Sequence, residues 1–110
     1  MQRGDVVVIA DRAGGDYAAK PRPAVVIQSD MFGGTDSIVV CPLTTRERDA
    51  TLLRVLVSPS KDLPLTDSCW AMVEKITSVR RDRAKSVIGR MTREEMLVLE
   101  RSLAVFLGFA

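Results

Sequence analysis

The strongest constraint on the fold of this chain is a series of short β-rich runs separated by turn-forming segments. The intervening segments, such as DRAGGDY, DMFGGTD and SPSKDLPLTD, are rich in Gly, Pro, Asp, Ser and Thr, as is typical of turns. This spacing predicts a compact, mainly β barrel or sandwich rather than βαβ units. With 110 residues, we expect a single domain over 1–110. The predicted strands are 6–10, 24–28, 37–43, 53–57, 69–76 and 86–91.

The fourth predicted strand alternates in the manner of a half-exposed strand. Leu53, Val55 and Val57 alternate with Arg54 and Ser58, so Arg54 falls on the opposite face of the predicted strand. Leu56 breaks the alternation. The pattern therefore predicts that Arg54 faces solvent.

The last part of the chain changes to a helical period. Thr92 and Glu95 have the spacing of an S/T-x-x-E capping box, which marks a helix N-terminus. Apolar residues follow at intervals of three and four, and they predict a helix of about four turns packed against the barrel. The helix could close one end of the barrel or contact a partner subunit. The predicted apolar stripe consists of Met96, Leu99, Leu103, Phe106 and Leu107.

Composition limits the possible chemistry. Hydrophobic residues make up 46% of the chain and charged residues 27%, so an ordinary globular domain is expected, and a net charge of +2 does not by itself indicate nucleic-acid binding. The chain has no histidine, which excludes Ser-His-Asp and Cys-His catalysis. Cys41 and Cys69 are expected to be small buried residues rather than a disulfide or a metal site.

The sequence carries no sign of membrane insertion or export. No apolar run approaches the roughly 20 residues needed to span a bilayer. The first residues, MQRGDVVVIA, lack a signal-peptide pattern. We therefore expect a cytoplasmic protein with no membrane contact.

Positive charge is concentrated in two segments. The first surrounds Arg46 and Arg48, and the second lies between positions 80 and 93. Such runs are either solvated faces or, if they meet in space, a track for phosphates. The second segment contains Arg80, Arg81, Arg83, Lys85, Arg90 and Arg93, against a single Asp82.

An arginine between two prolines stands at the start of the second predicted strand. Pro21 and Pro23 flank Arg22, and the second proline biases Arg22 toward an extended backbone. Its guanidinium stays ionised and offers forked donors that suit phosphate oxygens. Taken alone, Arg22 could equally be a surface residue in an ion pair at a strand end.

Three stretches of the sequence together resemble the MazF/PemK/Kid family of toxin endoribonucleases. They are RGDVVVIAD at 3–11, RPAVVIQSD at 22–30 and VVCPLTT at 39–45. The resemblance implies an SH3-like barrel of the MazF/CcdB type with a C-terminal α-helix, usually a homodimer. It also implies cleavage of single-stranded RNA without metal or cofactor, by 2′-hydroxyl attack that leaves a 2′,3′-cyclic phosphate and a 5′-hydroxyl, and inhibition by a cognate antitoxin.

The resemblance also suggests roles for individual residues. Arg22 would balance the charge of the reacting phosphate, and Thr44 would donate its hydroxyl to a phosphate oxygen. Glu74 matches a carboxylate that serves as proton acceptor in some members, although a structural salt bridge is a nearly equal alternative. The predicted RNA-binding residues are Tyr17, Lys20, Thr45, Arg46, Lys75, Ser78, Arg80 and Arg81.

The chain departs from the family pattern near Glu74. Lys75 and Thr77 stand where some members have Gln and Arg, and Met72 stands where some have Arg. These differences keep open the hypothesis of an inactive SH3-like module that binds RNA or protein. A second rival is a gyrase poison of the CcdB type, which has the same barrel with a C-terminal helix. The resemblance implies that such poisons lack the combination of RPAVV and PLTT found here.

Overall fold

The computed structural model describes residues 1–10, 21–48 and 52–110. They form seven strands, three short 3-10 turns and one helix. The turns are Asp30–Phe32, Val73–Lys75 and Arg81–Arg83. The strands are β1 (Asp5–Ile9), β2 (Arg22–Val26), β3 (Ser37–Thr44), β4 (Arg54–Val57), β5 (Cys69–Met72), β6 (Thr77–Arg80) and β7 (Ala84–Arg90), followed by α1 (Arg93–Leu107).

The long strand β3 joins the two parts of an antiparallel sheet. The strands follow the order β4-β5-β3-β2-β1-β7, and β6 pairs with β3 outside this path. One edge of β3 pairs with β6 over its first half and with β5 at Leu43 and Thr44. The other edge pairs with β2. Among the described residues the sheet is barrel-like but does not close, and the predicted mainly β architecture is confirmed.

Both faces of the central strands are buried. Successive residues of a strand point to opposite faces, so Val6 and Val25 enter one core while Val7 and Val26 enter another. The first core lies beneath α1. The second lies on the opposite face of β1, β2 and β3, where Val79 of β6 packs against it. Continuous apolar runs such as DVVVI therefore form strands that are buried on both sides.

The helix α1 begins at the predicted capping box. The Thr92 side chain accepts a hydrogen bond from the Glu95 backbone N–H at 3.1 Å, and the Glu95 carboxylate accepts one from the Thr92 N–H. Met96, Leu99 and Leu103 are buried against the first core, as predicted. The prediction was wrong for the last turn, because Phe106 and Leu107 lie beyond the packed face and are 45% and 48% exposed.

Two strand predictions need correction. The predicted strand 69–76 ends at Met72 and continues as a 3-10 turn that contains Glu74. The next strand, β6, was missed because its sequence TSVR lacks apolar alternation. In β4, Leu56 is 50% exposed whereas Arg54 is only 7% exposed, so the expectation that Arg54 faces solvent was wrong.

Cys41 and Cys69 are both free and buried, which confirms the sequence-based expectation for them. In the described part of the chain no helix is long and apolar enough to cross a membrane.

Gly89 should be essential for packing β7 against the segment that precedes β5. A Cβ atom at this position would lie 2.8 Å from the Leu63 Cα, closer than non-bonded carbons approach. We expect Gly89→Ala to lower the free energy of unfolding by about 1–3 kcal/mol, measured by urea denaturation. Gly34→Ala is the matched control, since nothing lies within 4 Å of its added Cβ. Equal stability of the two variants would contradict this packing.

Candidate active site

The pairing of β2 with β3 places Arg22 and Thr44 at the same end of the sheet. The ladder runs from Val26 opposite Val40 to Ala24 opposite Pro42. Continued by two residues, the same register sets Arg22 across from Thr44. The two side chains selected by the sequence are therefore brought together by a pairing between distant parts of the chain.

Two prolines explain why the ladder stops short of this end. Neither Pro23 nor Pro42 has an N–H to donate. Every second residue pair of an antiparallel ladder is hydrogen-bonded. The bonded pair at this end is therefore either the one that contains Pro42 or the next one, which contains Pro23. In both cases a proline removes one of its hydrogen bonds. The ends of β2 and β3, which are not hydrogen-bonded to each other, then form walls of a cleft.

The cleft has a volume of about 640 Å³. Five of its lining side chains carry positive charge, and none of the described residues that line it is acidic. It is therefore suited to an anionic ligand such as a phosphodiester chain. The lining consists of Pro21, Arg22, Pro23, Leu43, Thr44, Thr45, Arg46, Arg48, Arg54, Cys69, Met72 and Lys75.

Arg22 and Thr44 have side-chain donors that no other described residue uses. Arg22 is exposed, and its guanidinium makes no hydrogen bond or ion pair with any other residue in 1–10, 21–48 or 52–110. The Thr44 Oγ1 accepts a hydrogen bond from the Arg46 backbone N–H at 3.1 Å. Because Oγ1 acts as acceptor in that bond, its own proton remains available for a ligand oxygen.

Thr45, Arg46 and Lys75, three of the predicted RNA-binding residues, also line the cleft. All three are exposed. Tyr17 and Lys20, which were predicted to bind RNA as well, lie outside the described residues.

Ser78, Arg80 and Arg81 are placed elsewhere. Arg80 lies opposite Ser37 at the start of β3, about 23 Å along the strand from Thr44 at about 3.3 Å per residue. Arg80 forms an exposed ion pair with a nearby carboxylate, and the Arg81 guanidinium donates to backbone carbonyls of the 32–35 loop. These residues do not line the cleft, so the two basic segments do not form one continuous track within it.

Arg54 is the cleft residue that the sequence analysis missed. Its side chain is only 4% exposed, and its Nη1 donates to both carboxylate oxygens of Glu74 and, at 3.0 Å, to the Leu53 carbonyl. In the β4–β5 ladder Arg54 lies opposite Met72. Some members of the family that the sequence resembles have an arginine at the position of Met72. In this chain Arg54, on the neighbouring strand, supplies a guanidinium beside that position.

Two groups close to Arg54 have shifted pKa values. Hydrogen bonding to Arg54 holds the pKa of Glu74 below its ordinary value of 4.5. Burial, with a further contribution from the Glu74 charge, raises the pKa of Cys41 to about 12. Cys41 is therefore a neutral thiol at physiological pH and is not a nucleophile.

Comparison with known proteins identifies the family. A sequence model of the PemK-like, MazF-like toxins of type II toxin–antitoxin systems matches residues 2–107. The chain belongs to this family. The resemblance seen in the RGDVVVIAD, RPAVVIQSD and VVCPLTT motifs is thereby confirmed.

Individual MazF proteins match over their whole length. A probable endoribonuclease MazF of Mycolicibacterium smegmatis is 40% identical over 110 residues, which cover 100% of this chain and 99% of that protein. Endoribonuclease MazF9 of Mycobacterium tuberculosis is 32% identical over 114 residues, covering 97% and 96% of the two chains.

Solved MazF structures share the fold. A mycobacterial endoribonuclease in complex with its cognate antitoxin superposes with a TM-score of 0.79 at 23% identity, covering 100% of this chain and 97% of that one. A MazE–MazF structure from Deinococcus radiodurans gives a TM-score of 0.81 at 18% identity, covering 100% and 97%. The predicted MazF-type barrel with a C-terminal helix is confirmed.

Acid should remove the stabilisation that the Arg54–Glu74 pair provides. Because the pKa of Glu74 is lowered in the folded chain, the pair stabilises the fold fully above about pH 4.5, and this contribution is lost as pH falls through the lower folded-state pKa. We expect the difference in free energy of unfolding between the wild type and Glu74→Gln to shrink between neutral pH and about pH 3.5. Urea denaturation at several pH values measures it, and a constant difference would contradict the pairing.

Proposed function

We propose that this MazF-family toxin is an endoribonuclease that cleaves single-stranded RNA in the cleft between β2, β3 and β5. Family membership supports a toxin, and both relatives described above are named endoribonucleases. The observation that carries the proposal for the site is the presence of Arg22 and Thr44 in one cleft lined by cations.

In the proposed reaction the substrate supplies its own nucleophile. The ribose 2′-oxygen bonds to the adjacent phosphorus, its proton leaves to an acceptor, and the bond from phosphorus to the 5′-oxygen breaks. That oxygen gains a proton, so the products are a 2′,3′-cyclic phosphate and a 5′-hydroxyl. The demands on the protein are positioning of the phosphate and stabilisation of its added negative charge.

Arg22 and Thr44 fit these two demands. The Arg22 guanidinium stabilises charge on the non-bridging oxygens through forked donors. Thr44 donates its hydroxyl proton to one of them, while the Arg46 N–H fixes the position of Oγ1. Arg46 and Lys75, which also line the cleft, hold further phosphates of the RNA.

Glu74, the sequence candidate for proton acceptor, is placed less favourably for that role. Arg54 engages both of its oxygens and lowers its pKa, and a lower pKa makes a carboxylate a weaker base. Glu74 is also not among the described residues that line the cleft. Its catalytic role stays a prediction, and no metal or cofactor takes part in the proposed scheme.

The same proposal covers the partners and location. Structures of MazF-type proteins include complexes with a cognate antitoxin and with MazE, and we propose an antitoxin partner for this chain. Residues 1–110 would act as one domain in a cytoplasmic homodimer. The exposed Val98, Val105 and Phe109 on and after α1 offer an apolar surface for subunit contact.

Replacing Arg22 tests its assigned role. We expect Arg22→Ala to slow cleavage of a mixed-sequence RNA at least about a hundredfold, since a charge stabiliser of the transition state is lost. The melting temperature should stay nearly unchanged, because the side chain is exposed. Initial rates in excess EDTA measure the effect.

Arg93→Ala is the matched control for this test. It removes an exposed arginine from the first position of α1, away from the cleft and on a different helix face from Val98 and Val105, and should cleave at the wild-type rate. A wild-type rate for Arg22→Ala, or an equal loss in both variants, would remove Arg22 from the mechanism.

A further inference from the structure

Arg54 combines burial, a carboxylate partner and an unused donor. Its side chain is 4% exposed and its Nη1 bonds Glu74 and a backbone carbonyl. Its Nε, however, is buried with no hydrogen-bond partner among the described residues. An unsatisfied buried donor destabilises the folded state, and such groups call for a physical explanation.

The pair is oriented with its positive end toward the cleft. Arg54 lines the cleft, whereas Glu74 is not among the described lining residues. The carboxylate therefore holds the guanidinium through Nη1, and no described carboxylate lies in the lining to cancel the positive potential of the cleft. In a site of low dielectric, a fixed donor of this kind binds an anion without losing side-chain entropy.

Arg54 and Arg22 approach the cleft from strands that are not neighbours in the sheet. In the strand order β4-β5-β3-β2, three inter-strand steps separate the strands that carry them, about 14 Å at about 4.8 Å per step. Both still face the same cleft. A chain of phosphodiesters running across the cleft would meet each guanidinium at a different phosphate.

We propose that Arg54 is a second phosphate-binding residue of the cleft and that Glu74 is a positioning residue that holds its guanidinium. The ligand is a phosphate of the single-stranded RNA other than the one cleaved, so the inference rests on the proposed function. Arg54 contributes affinity and alignment for the RNA, and Glu74 acts through Arg54 rather than on the 2′-hydroxyl proton.

The salt dependence of RNA binding tests Arg54 independently of cleavage. The probe is a mixed-sequence 2′-O-methyl RNA, which lacks the attacking hydroxyl and cannot be cut by the proposed reaction. For single strands, each phosphate contact contributes about 0.7 to the slope of log Kd against log salt concentration. The double variant Arg54→Met/Glu74→Gln keeps the net charge of +2 and should lose about 0.7 from this slope.

The matched control removes an ion pair outside the cleft. Arg90 pairs with the buried Asp5, and neither residue lines the cleft. Arg90→Met/Asp5→Asn also preserves the net charge and should leave the slope unchanged, even if its melting temperature falls. An unchanged slope in the Arg54 variant, or an equal loss in the control, would overturn the proposal.

Two single variants keep the test decisive if the double variant does not fold. Arg54→Lys retains the charge but loses the forked donors, so the slope should persist while Kd rises about 5- to 30-fold, as for the loss of 1–2 kcal/mol. An unchanged Kd would overturn the proposal. Glu74→Gln should keep cleavage within about tenfold of wild type with the same pH profile. A loss above about a thousandfold, together with loss of the acidic limb of the profile, would make Glu74 the base and overturn its positioning role.

These results separate the inference from the proposed function. In one outcome, the slope for the 2′-O-methyl RNA falls in the Arg54 variant while the wild-type protein does not cut unmodified RNA. That result would support the phosphate site at Arg54 and refute the proposed nuclease activity. If the wild-type protein cuts unmodified RNA but the Arg54 variant binds RNA with an unchanged slope, the nuclease activity is supported and the phosphate site at Arg54 is refuted.

Discussion

The pairing of β2 with β3 is the contact on which the proposed site depends. It joins two segments that are distant in sequence, and its register sets Arg22 across from Thr44. Pro23 and Pro42 end the ladder just before those residues, because neither has an N–H to donate. The same pairing thus buries apolar side chains on both faces of the sheet and leaves an open end for a ligand.

The positive charge of the cleft results from how the fold places basic side chains and not from the net charge of the chain. A net charge of +2 is modest, yet the described lining of the cleft has five cationic side chains and no carboxylate. One of them, Arg54, is buried and fixed by Glu74. A preorganised charge of this kind stabilises an anion without the reorganisation that flexible surface lysines require.

The sequence predicted the parts of the site that depend on local chemistry. Proline neighbours marked Arg22, and the capping box located α1, because both signals lie within a few residues. Arg54 was missed because alternation within β4 pointed it outward, whereas Glu74, twenty positions later, covers it. The strand β6 and the placement of Arg80 far from the cleft likewise depend on strand pairing, which local patterns do not encode.

In the proposed reaction the ribose 2′-oxygen attacks a phosphate held by Arg22 and Thr44. The chemistry of the RNA ends, after the purified protein is incubated with a long mixed-sequence RNA, reports which oxygen attacked. We expect a 2′,3′-cyclic phosphate on the upstream fragment and a 5′-hydroxyl on the downstream one. A 5′-phosphate with a free 3′-hydroxyl would show that water attacks instead and would refute attack by the 2′-oxygen.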